Sequence, residues 1–549
     1  MVSKTVKRSA NVAASKADKA LVDAQMKKLL KTVSEPKVKK DSEVLCRRAP
    51  HLIVSAFAGC GKTTTIIGAL DILYGKKPKI TPSVQQKAVW DVISQEKPKT
   101  VLFAAFNKSI ATELASRVPD GVEARTLHAF GCKILRTDPR TKWLGKPNEY
   151  KTINSLERLT GSKLSDMRRN GIPVSEVETL VRLAKMSLID VDSETIVDDI
   201  ERLVIEHAME LTVSFETVAG YVIDCLKDAL RANDKGRIAE YDFSDMIWLP
   251  IVLDIAIDKA DLIMVDEGQD LNKCQQELAC RMADRVVLVA DRKQAIYAFA
   301  GADCQSVDNM KKRLEATPRG VVELPLSVTR RCGKAIVDAA KTFVPTFEAH
   351  ETNCDGEVTS IDDQDFLSVV NDADMVLCRV NAPLVSYCFR LLKQERKARI
   401  QGRDIGKGLV DQINKFKAKD LDELVDKLEA WKEKEEAKLL KKKFVSEAAL
   451  IALNDKFDCI MTFIDNSESV QGLTNKIQTV FSDSGEGVLF SSVHKAKGLE
   501  ANTVYLLHPE LMPHKMAKTE WQMEQEMNIK YIAITRAIRK LVYIKTPSK

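Results

Sequence analysis

Two hydrophobic rhythms alternate along this chain. Short, nearly continuous apolar runs predict buried strands: LIVSAF within 51–70, TVLFAAF at 100–106, DLIMVDE at 261–267 and RVVLVAD at 285–291. Runs of this kind suit strands covered on both faces of a parallel sheet. Others follow: VVELPLS at 321–327, ADMVLCRV at 373–380, GVLFSSV at 487–493, TVYLL at 503–507 and LVYIK at 541–545. Between about 135 and 240 the spacing changes. Segments such as VSEVETLVRLAKMSL and SFETVAGYVIDCLKDAL carry apolar residues three and four apart, which predicts amphipathic helices packed as an inserted bundle. A charge-dense stretch at 411–457, including DELVDKLEAWKEKEEAKLLKKKF, reads as a solvated helix laced with ion pairs. No internal repeat at a fixed period is found. The pattern predicts two α/β sheets with a helical insertion in each half.

Composition narrows the class. At 549 residues the chain exceeds what one core supports and predicts three or four domains. With 45% hydrophobic and 30% charged residues it belongs with soluble globular proteins, not disordered ones. A net charge of +6 permits a polyanionic partner without requiring one. The twelve cysteines are scattered, form no C-x-x-C pair, and fall inside apparent strands (Cys378) and helices (Cys225), as reduced thiols of a cytosolic protein do. No apolar run approaches the ~18 residues of a membrane span, so a cytoplasmic protein with no membrane partner is expected. The start, MVSKTVKRSANVAASK, lacks the apolar centre of a secretion signal. Its single arginine and weak amphipathicity favour a flexible basic arm over an organelle transit peptide.

Two stretches carry chemistry in their own right. HLIVSAFAGCGKTTTIIGAL at 51–70 reads as strand, glycine turn, helix. Gly59 and Gly61 let the turn curl so that backbone N–H groups face a phosphate, with a helix N-terminus behind them. Lys62 can reach the terminal phosphates, and the Thr63 hydroxyl is placed to ligate Mg²⁺. The match is A-x-x-x-x-G-K-T, with Ala56 where the general pattern has Gly. A chance glycine turn before a core helix is the alternative, but strand, turn and helix all agree with a nucleoside triphosphate site. The second stretch, VDEGQD at 265–270, ends an apolar strand. Asp266 is placed to hold Mg²⁺ through water and Glu267 to polarise an attacking water. Acidic residues at a strand end could also be a plain solvated turn.

Further blocks turn these two into a set: AFNKSIATEL, TLHAFG, VADRKQAIYAFAGAD at 289–303, TRRCGKAIV at 329–337, HKAKGLE and YIAITRA at 531–537, with YDFSDMIWLP and VLCRVNAPLV as lesser matches. In this order the blocks resemble the helicase motifs of superfamily 1, in the family of UvrD and Rep, over about residues 51–545. The resemblance implies two RecA-like P-loop domains of parallel sheet that clamp ATP between them, each with a mainly helical insertion. The implied boundaries are 1–45 (basic arm and linker), 46–134 and 239–318 (first RecA-like domain), 135–238 (its helical insertion), 319–410 and 486–549 (second RecA-like domain), and 411–485 (a small charged insertion).

The same resemblance assigns roles by position. Ala56, Ala58, Gly59, Cys60, Gly61, Lys62, Thr63 and Thr64 would cradle the phosphates of ATP. Thr63 and Asp266 would hold Mg²⁺, Glu267 would serve the water, and Gln294 would sense the γ-phosphate. Arg331 and Arg536 would reach in from the second domain as arginine fingers, and Glu500 would contact the ribose or couple ATP to DNA. For nucleic acid the candidates are Phe106, Asn107, Thr126, His128, Tyr297, Phe299 and His494. Aromatic faces there would stack bases without reading sequence, although Phe106 and Phe299 could equally be core aromatics.

Departures from the family pattern are visible too. No glutamine lies between Gln25 and Ala56 to read adenine; the Gln85–Gln86 pair comes after the loop. Arg330 stands where an aromatic residue usually stacks on the base, and Ala300 where arginine is common. Only about 110 residues separate VLCRVNAPLV from HKAKGLE, so the second insertion must be small, as in compact viral and phage-like members.

The resemblance implies an ATP-dependent DNA helicase moving 3′→5′ on single-stranded DNA in a bacterial or phage-infected cell, and the small second insertion leads us to expect an active monomer. Its partners would be single strands, single-strand/duplex junctions, and replication or repair proteins. Alternatives are a translocase that strips proteins without unwinding, and a non-enzymatic nucleic-acid-binding protein.

Overall fold

The apolar runs become two six-stranded sheets in which every paired strand is parallel. The structure, a computed structural model, describes residues 48–545 apart from 208, 210, 298–300, 303–304, 441–446, 483–484, 515–516 and 518–519. The arm expected at 1–45, Phe299 and Ala300 therefore lie outside the described residues.

The first sheet holds β1 (His51–Ala56), β2 (Val101–Ala105), β3 (Val122–Thr126), β4 (Ala260–Val265), β5 (Ala283–Ala290) and β6 (Val321–Leu326), in the order β3-β2-β4-β5-β1-β6. Its central strands β4 and β5 are almost wholly buried, as continuous apolar runs require. The helices α1 (Lys62–Leu73), α2 (Val84–Ile93), α3 (Lys108–Ala115) and α4 (Leu127–Leu135) follow the first strands. A short pair, β7 (Val328–Thr329) with β8 (Glu348–Ala349), leads to the second sheet. That sheet orders β9 (Glu357–Asp362), β10 (Met375–Cys378), β11 (Ala398–Ile400), β12 (Val488–Ser492), β13 (Ala501–Leu506) and β14 (Ala537–Lys545) as β11-β12-β10-β13-β14-β9.

Both halves carry helical insertions. Five helices between Lys151 and Ala229 follow α4, and their inward Leu156, Val177, Leu180, Ile200 and Val222 join one core with Ile263 and Leu288 of the first sheet. The second insertion, between β11 and β12, packs Leu424, Leu428, Ile460 and Phe463 onto the second sheet. Its long helix Leu421–Leu440 thus has a buried stripe, while pairs such as Lys427–Glu423 (2.7 Å) and Lys438–Glu435 (2.6 Å) lie on its wet side. Among the described residues no helix is long and apolar enough to cross a membrane.

Two boundaries differ from those expected. The run VVELPLS, assigned to the second half by a boundary at 319, is the edge strand β6 of the first sheet, with Val54 opposite Leu324. A short apolar run carries no label for its partner, because pairing is non-local. Pro325 is tolerated there because an edge strand has an unpaired side. The second insertion also begins earlier than 411, at the helix Arg403–Phe416, whose Leu409, Val410 and Ile413 are buried.

One buried group ties the first sheet to pH. His51, opening β1, accepts a hydrogen bond from the Val286 N–H at Nδ1 (3.0 Å) and has Nε2 3.0 Å from the Thr317 hydroxyl. Burial, with Arg319 and Arg285 nearby, pushes its imidazole down to about 4. A histidine whose folded pKa is depressed contributes stability that is complete above the unfolded value near 6.5 and is lost as pH falls through about 4. Urea midpoints at pH 7.5 and 5 should therefore differ less for His51→Asn than for the natural chain; equal differences would contradict this assignment.

Candidate active site

The sheet topology gathers the predicted chemistry at one edge. The loop after β1, the acidic pair after β4, Gln294 after β5 and Phe106 after β2 all leave the carboxyl ends of parallel strands, where open α/β sheets bind ligands. A cavity of about 820 Å³ lies there, lined from the first sheet by Gly59, Gly61, Lys62, Thr63, Asp266, Glu267 and Gln294, and from the second half by Arg331, Lys497, Glu500 and Arg536.

The loop is shaped for an anion. Gly59 and Gly61 have φ of 68° and 78°, which side chains on an L-residue disfavour. A Cβ at Gly59 would also sit 2.5 Å from the Arg331 Cβ, so glycine permits the close approach of the two halves. Gly61 caps α1 without a side-chain bond, and no acidic residue occupies the first turn. The helix therefore presents free N–H donors and its positive end to the cavity. Ala56, Ala58 and Cys60 are buried and stay off the cavity wall. The backbone N–H of Ala58 donates to the Tyr531 hydroxyl (3.0 Å) and that of Cys60 to the Phe57 carbonyl (3.3 Å), so these residues shape the loop.

Charges are matched across the floor. Lys62 Nζ lies 3.0 Å from Glu267 Oε1. Burial alone would lower the ammonium, but Glu267, Asp291 and Asp266 outweigh it and keep Lys62 protonated. Burial likewise opposes ionisation of Glu267, yet Lys62 and Lys497 hold its carboxyl well below the usual range. Its neighbour Asp266 is raised above the usual range by burial and by Glu267. The two acids are thus driven apart, with Glu267 the firmly ionised one. The Thr63 hydroxyl donates to Asp266 Oδ2 at 3.4 Å, which sets one hydroxyl and one carboxylate oxygen together. Hard oxygen donors of this kind fit Mg²⁺, which keeps most of its shell as water and phosphate.

The second half closes the roof. Arg331 pairs with Glu500, so the residue expected at the ribose holds a guanidinium here. Arg536 is buried, donates to the carbonyls of Ile532 (3.2 Å) and Leu499 (3.0 Å), and leaves Nη2 without a partner among the described residues. Burial lowers it to about 10, still fully charged at neutral pH. A buried guanidinium corner with no acceptor is a place for an anion. Lys497 crosses between the halves to Asp270 and to the Gln294 carbonyl (2.8 Å), with its ammonium 4.9 Å from the centre of the Tyr297 ring. Gln294 donates to Asp291 Oδ2 at 2.7 Å.

Gln86, which follows the loop in sequence, reaches the cavity. It caps α2 reciprocally with Ser83, donates to the Thr65 hydroxyl (3.0 Å), and lines the cavity beside Ile80 and Thr81. Gln85 instead exchanges two hydrogen bonds with Ser327 (2.8 and 2.9 Å).

Three of the nucleic-acid candidates, Phe106, Tyr297 and His128, lie in two stacked pairs of rings. Phe106, 38% exposed, stacks on Tyr297 with centroids 5.8 Å apart at 15°, and both rings line the cavity with Asn107. His128 stacks on Phe243 at 4.2 Å and 21°. Phe243 is 57% exposed and was not singled out in the sequence, although YDFSDMIWLP places an aromatic between polar residues just before an apolar run. It is held by a buried network: Lys185 bonds both Asp242 and Asp245 (2.8 Å each) and Lys151 bonds Asp245 (2.7 Å).

The polar members do other work. Asn107 and Thr126 cap α3 and α4, accepting from the N–H groups of Ile110 (2.9 Å) and Ala129 (3.2 Å). Burial pushes His128 down to about 4, and burial with Arg379 pushes His494 to about 3. Both imidazoles are neutral at physiological pH and offer no cation to a phosphate.

Comparisons with known proteins agree in kind. The model of the UvrD/REP helicase N-terminal domain matches residues 38–315. F-box DNA helicase protein 1 of Schizosaccharomyces pombe is 22% identical over 91% of this chain and 56% of its own length. A probable DNA helicase II homolog of Mycoplasma pneumoniae is 23% identical over 57% of this chain and 42% of its own. The ATP-dependent DNA helicase PcrA of Staphylococcus aureus is 25% identical over 50% and 35%. The chain thus spans about half, or less, of the length of these relatives. A solved complex of Arterivirus nonstructural protein 10 (helicase) with DNA aligns over 90% of this chain and 61% of that one at 10% identity. The TM-score of that alignment is 0.31.

Proposed function

The chain belongs to the UvrD/REP helicase family, and on that premise we propose that it is an ATP-dependent DNA helicase that moves along single-stranded DNA. One observation carries the reading. Lys62, Thr63, Asp266 and Glu267 from the first sheet, and Arg331 and Arg536 from the second half, border one cavity.

The two sheets would act as RecA-like domains closing on ATP. The α1 N-terminus and Lys62 bind the phosphates, and Lys62 exchanges Glu267 for them. Thr63 and Asp266 would hold Mg²⁺, which would neutralise charge on the phosphate oxygens. Glu267, which Lys497 as well as Lys62 keeps ionised, orients the attacking water. Arg331 leaves Glu500 for the transferring phosphoryl group, and Arg536 offers its unpartnered Nη2. Both guanidinium groups come from the opposite half, so they act only when the cleft is closed. Lys497 bridges this site to the Tyr297–Phe106 pair, a route by which nucleotide state can alter the grip on a base. Stacking on those rings and on the His128–Phe243 pair is sequence-tolerant, as a motor requires.

The family resemblance supports 3′→5′ movement. Strand displacement from duplexes with a 3′ or a 5′ single-stranded tail tests it: unwinding with the 3′ tail is expected, and unwinding only with the 5′ tail would overturn the direction.

A further inference from the structure

Residues 294–297 join the nucleotide cavity to the stacked rings, and the second half holds this segment at every residue. Gln294 lines the cavity, and Tyr297, three residues on, stacks on Phe106. Past the single helical turn Arg292–Gln294 the backbone has no regular structure, so its carbonyls need side chains as partners. Lys497 Nζ donates to the Gln294 carbonyl (2.8 Å), Asn528 Nδ2 to the Ala295 carbonyl (3.1 Å) and Gln525 Nε2 to the Ile296 carbonyl (2.7 Å). The Tyr297 hydroxyl in turn donates to the His494 carbonyl (3.3 Å). All four partners belong to the second half.

Two of these donors share an element. Gln525 and Asn528 lie three residues apart on the helix Glu520–Thr535, and Tyr531 follows at the same spacing. Residues so spaced sit on one face. That face also reaches the phosphate loop, where the Tyr531 hydroxyl accepts from the Ala58 N–H (3.0 Å). Arg536 follows the helix directly. The same helix is anchored in its own half by buried Glu526, which bonds Arg379 Nη2 (2.7 Å) at the end of β10. One rigid element thus touches the phosphate loop, leads into the buried guanidinium and fixes the peptides between Gln294 and Tyr297. Asn528 is buried, and a polar group so placed costs stability unless its bonds are made.

We propose that Gln525 and Asn528 are positioning residues that couple the nucleotide site to the strand contact. The inference rests on the helicase reading, which makes Gln294 a nucleotide contact and Tyr297 a base contact. Three residues span at most about 11 Å, and clamping the two middle peptides makes both ends follow each shift of the second half. Without the two donors, closure of the cleft would still reach Gln294 through Lys497. The segment could then flex at Ala295 and Ile296, and Tyr297 would no longer move with the nucleotide.

The test uses Gln525→Leu/Asn528→Leu, which keeps bulk and removes both donors. Gln525→Glu, at a half-buried position, instead turns an acceptor toward the Ile296 carbonyl. ATP turnover is measured alone and with saturating single-stranded DNA, and strand affinity with and without a non-hydrolysable ATP analogue. Stimulation by the strand should fall about tenfold in the double variant and about threefold in Gln525→Glu. The change in strand affinity that the analogue causes should shrink in parallel, because coupling between two binding sites is reciprocal. Unstimulated turnover, the KM for ATP and strand affinity without nucleotide should stay within about twofold. A fall of stimulated and unstimulated turnover together would overturn the inference, since the pair would then only brace the site. Full stimulation in both variants would overturn it as well, and Gln525→Glu alone decides should the double variant fail to fold. A natural chain that hydrolyses no ATP, or that no strand stimulates, would instead retire the helicase reading and this inference with it.

Discussion

Arg331→Ala is expected to lower the maximal rate of DNA-stimulated ATP hydrolysis by on the order of 10³-fold or more, with little change in nucleotide affinity. The residue belongs to the second half yet reaches the cavity of the first. A guanidinium delivered across a cleft stabilises charge that develops only in the transition state, and such fingers are worth about 10³–10⁵ in rate. Arg331 is paired with Glu500, a half-exposed carboxylate that can be released to water. Removing the arginine therefore leaves no buried charge stranded, and the fold should persist. Single-turnover hydrolysis with a fluorescent ATP analogue separates the steps. A loss confined to binding, with the chemical step intact, would contradict the role.

Lys62→Ala should abolish turnover while single-strand binding survives. Lys62 stands at the first position of α1, where the loop's donors and its own ammonium converge. It is also the partner that, with Lys497, keeps Glu267 ionised. The substitution thus removes a phosphate contact and disturbs the group that orients water, and losses of about 10²–10³ are typical for one such donor alone. Because a buried pair is being broken, Lys62→Arg serves as the fold control, retaining charge beside Glu267. DNA binding by fluorescence anisotropy, read beside ATP turnover, decides the matter. Loss of both in Lys62→Ala but not in Lys62→Arg would mean a collapsed fold instead of a catalytic defect.

What could be read in advance follows a physical divide. Local signals carried well: the strand–glycine–helix order around Gly59 and Gly61, the strand-end acids Asp266 and Glu267, and the three-and-four spacing of the first insertion all appear as expected. Non-local facts did not. Which sheet takes VVELPLS depends on a pairing with β1 some 270 residues away, and nothing in the run itself encodes it. Gln86 looked misplaced because it follows the loop in sequence, whereas α2 folds back and brings it to the cavity wall. His494 is a nucleic-acid candidate by its place in the motif, but burial leaves it neutral, a property its neighbours in sequence do not reveal. Phe243 and Lys497 were missed as individual contacts even though both lie inside recognised blocks, since only packing tells an exposed ring or a bridging ammonium from its neighbours.

The central claim is a nucleotide site shared by two halves and coupled to a nucleic-acid strand. Its most direct test is ATP hydrolysis by the purified chain, alone and with single-stranded DNA, RNA or duplex DNA. Strong stimulation by single-stranded DNA is the predicted result. No turnover under any of these conditions, or stimulation by RNA alone, would contradict it.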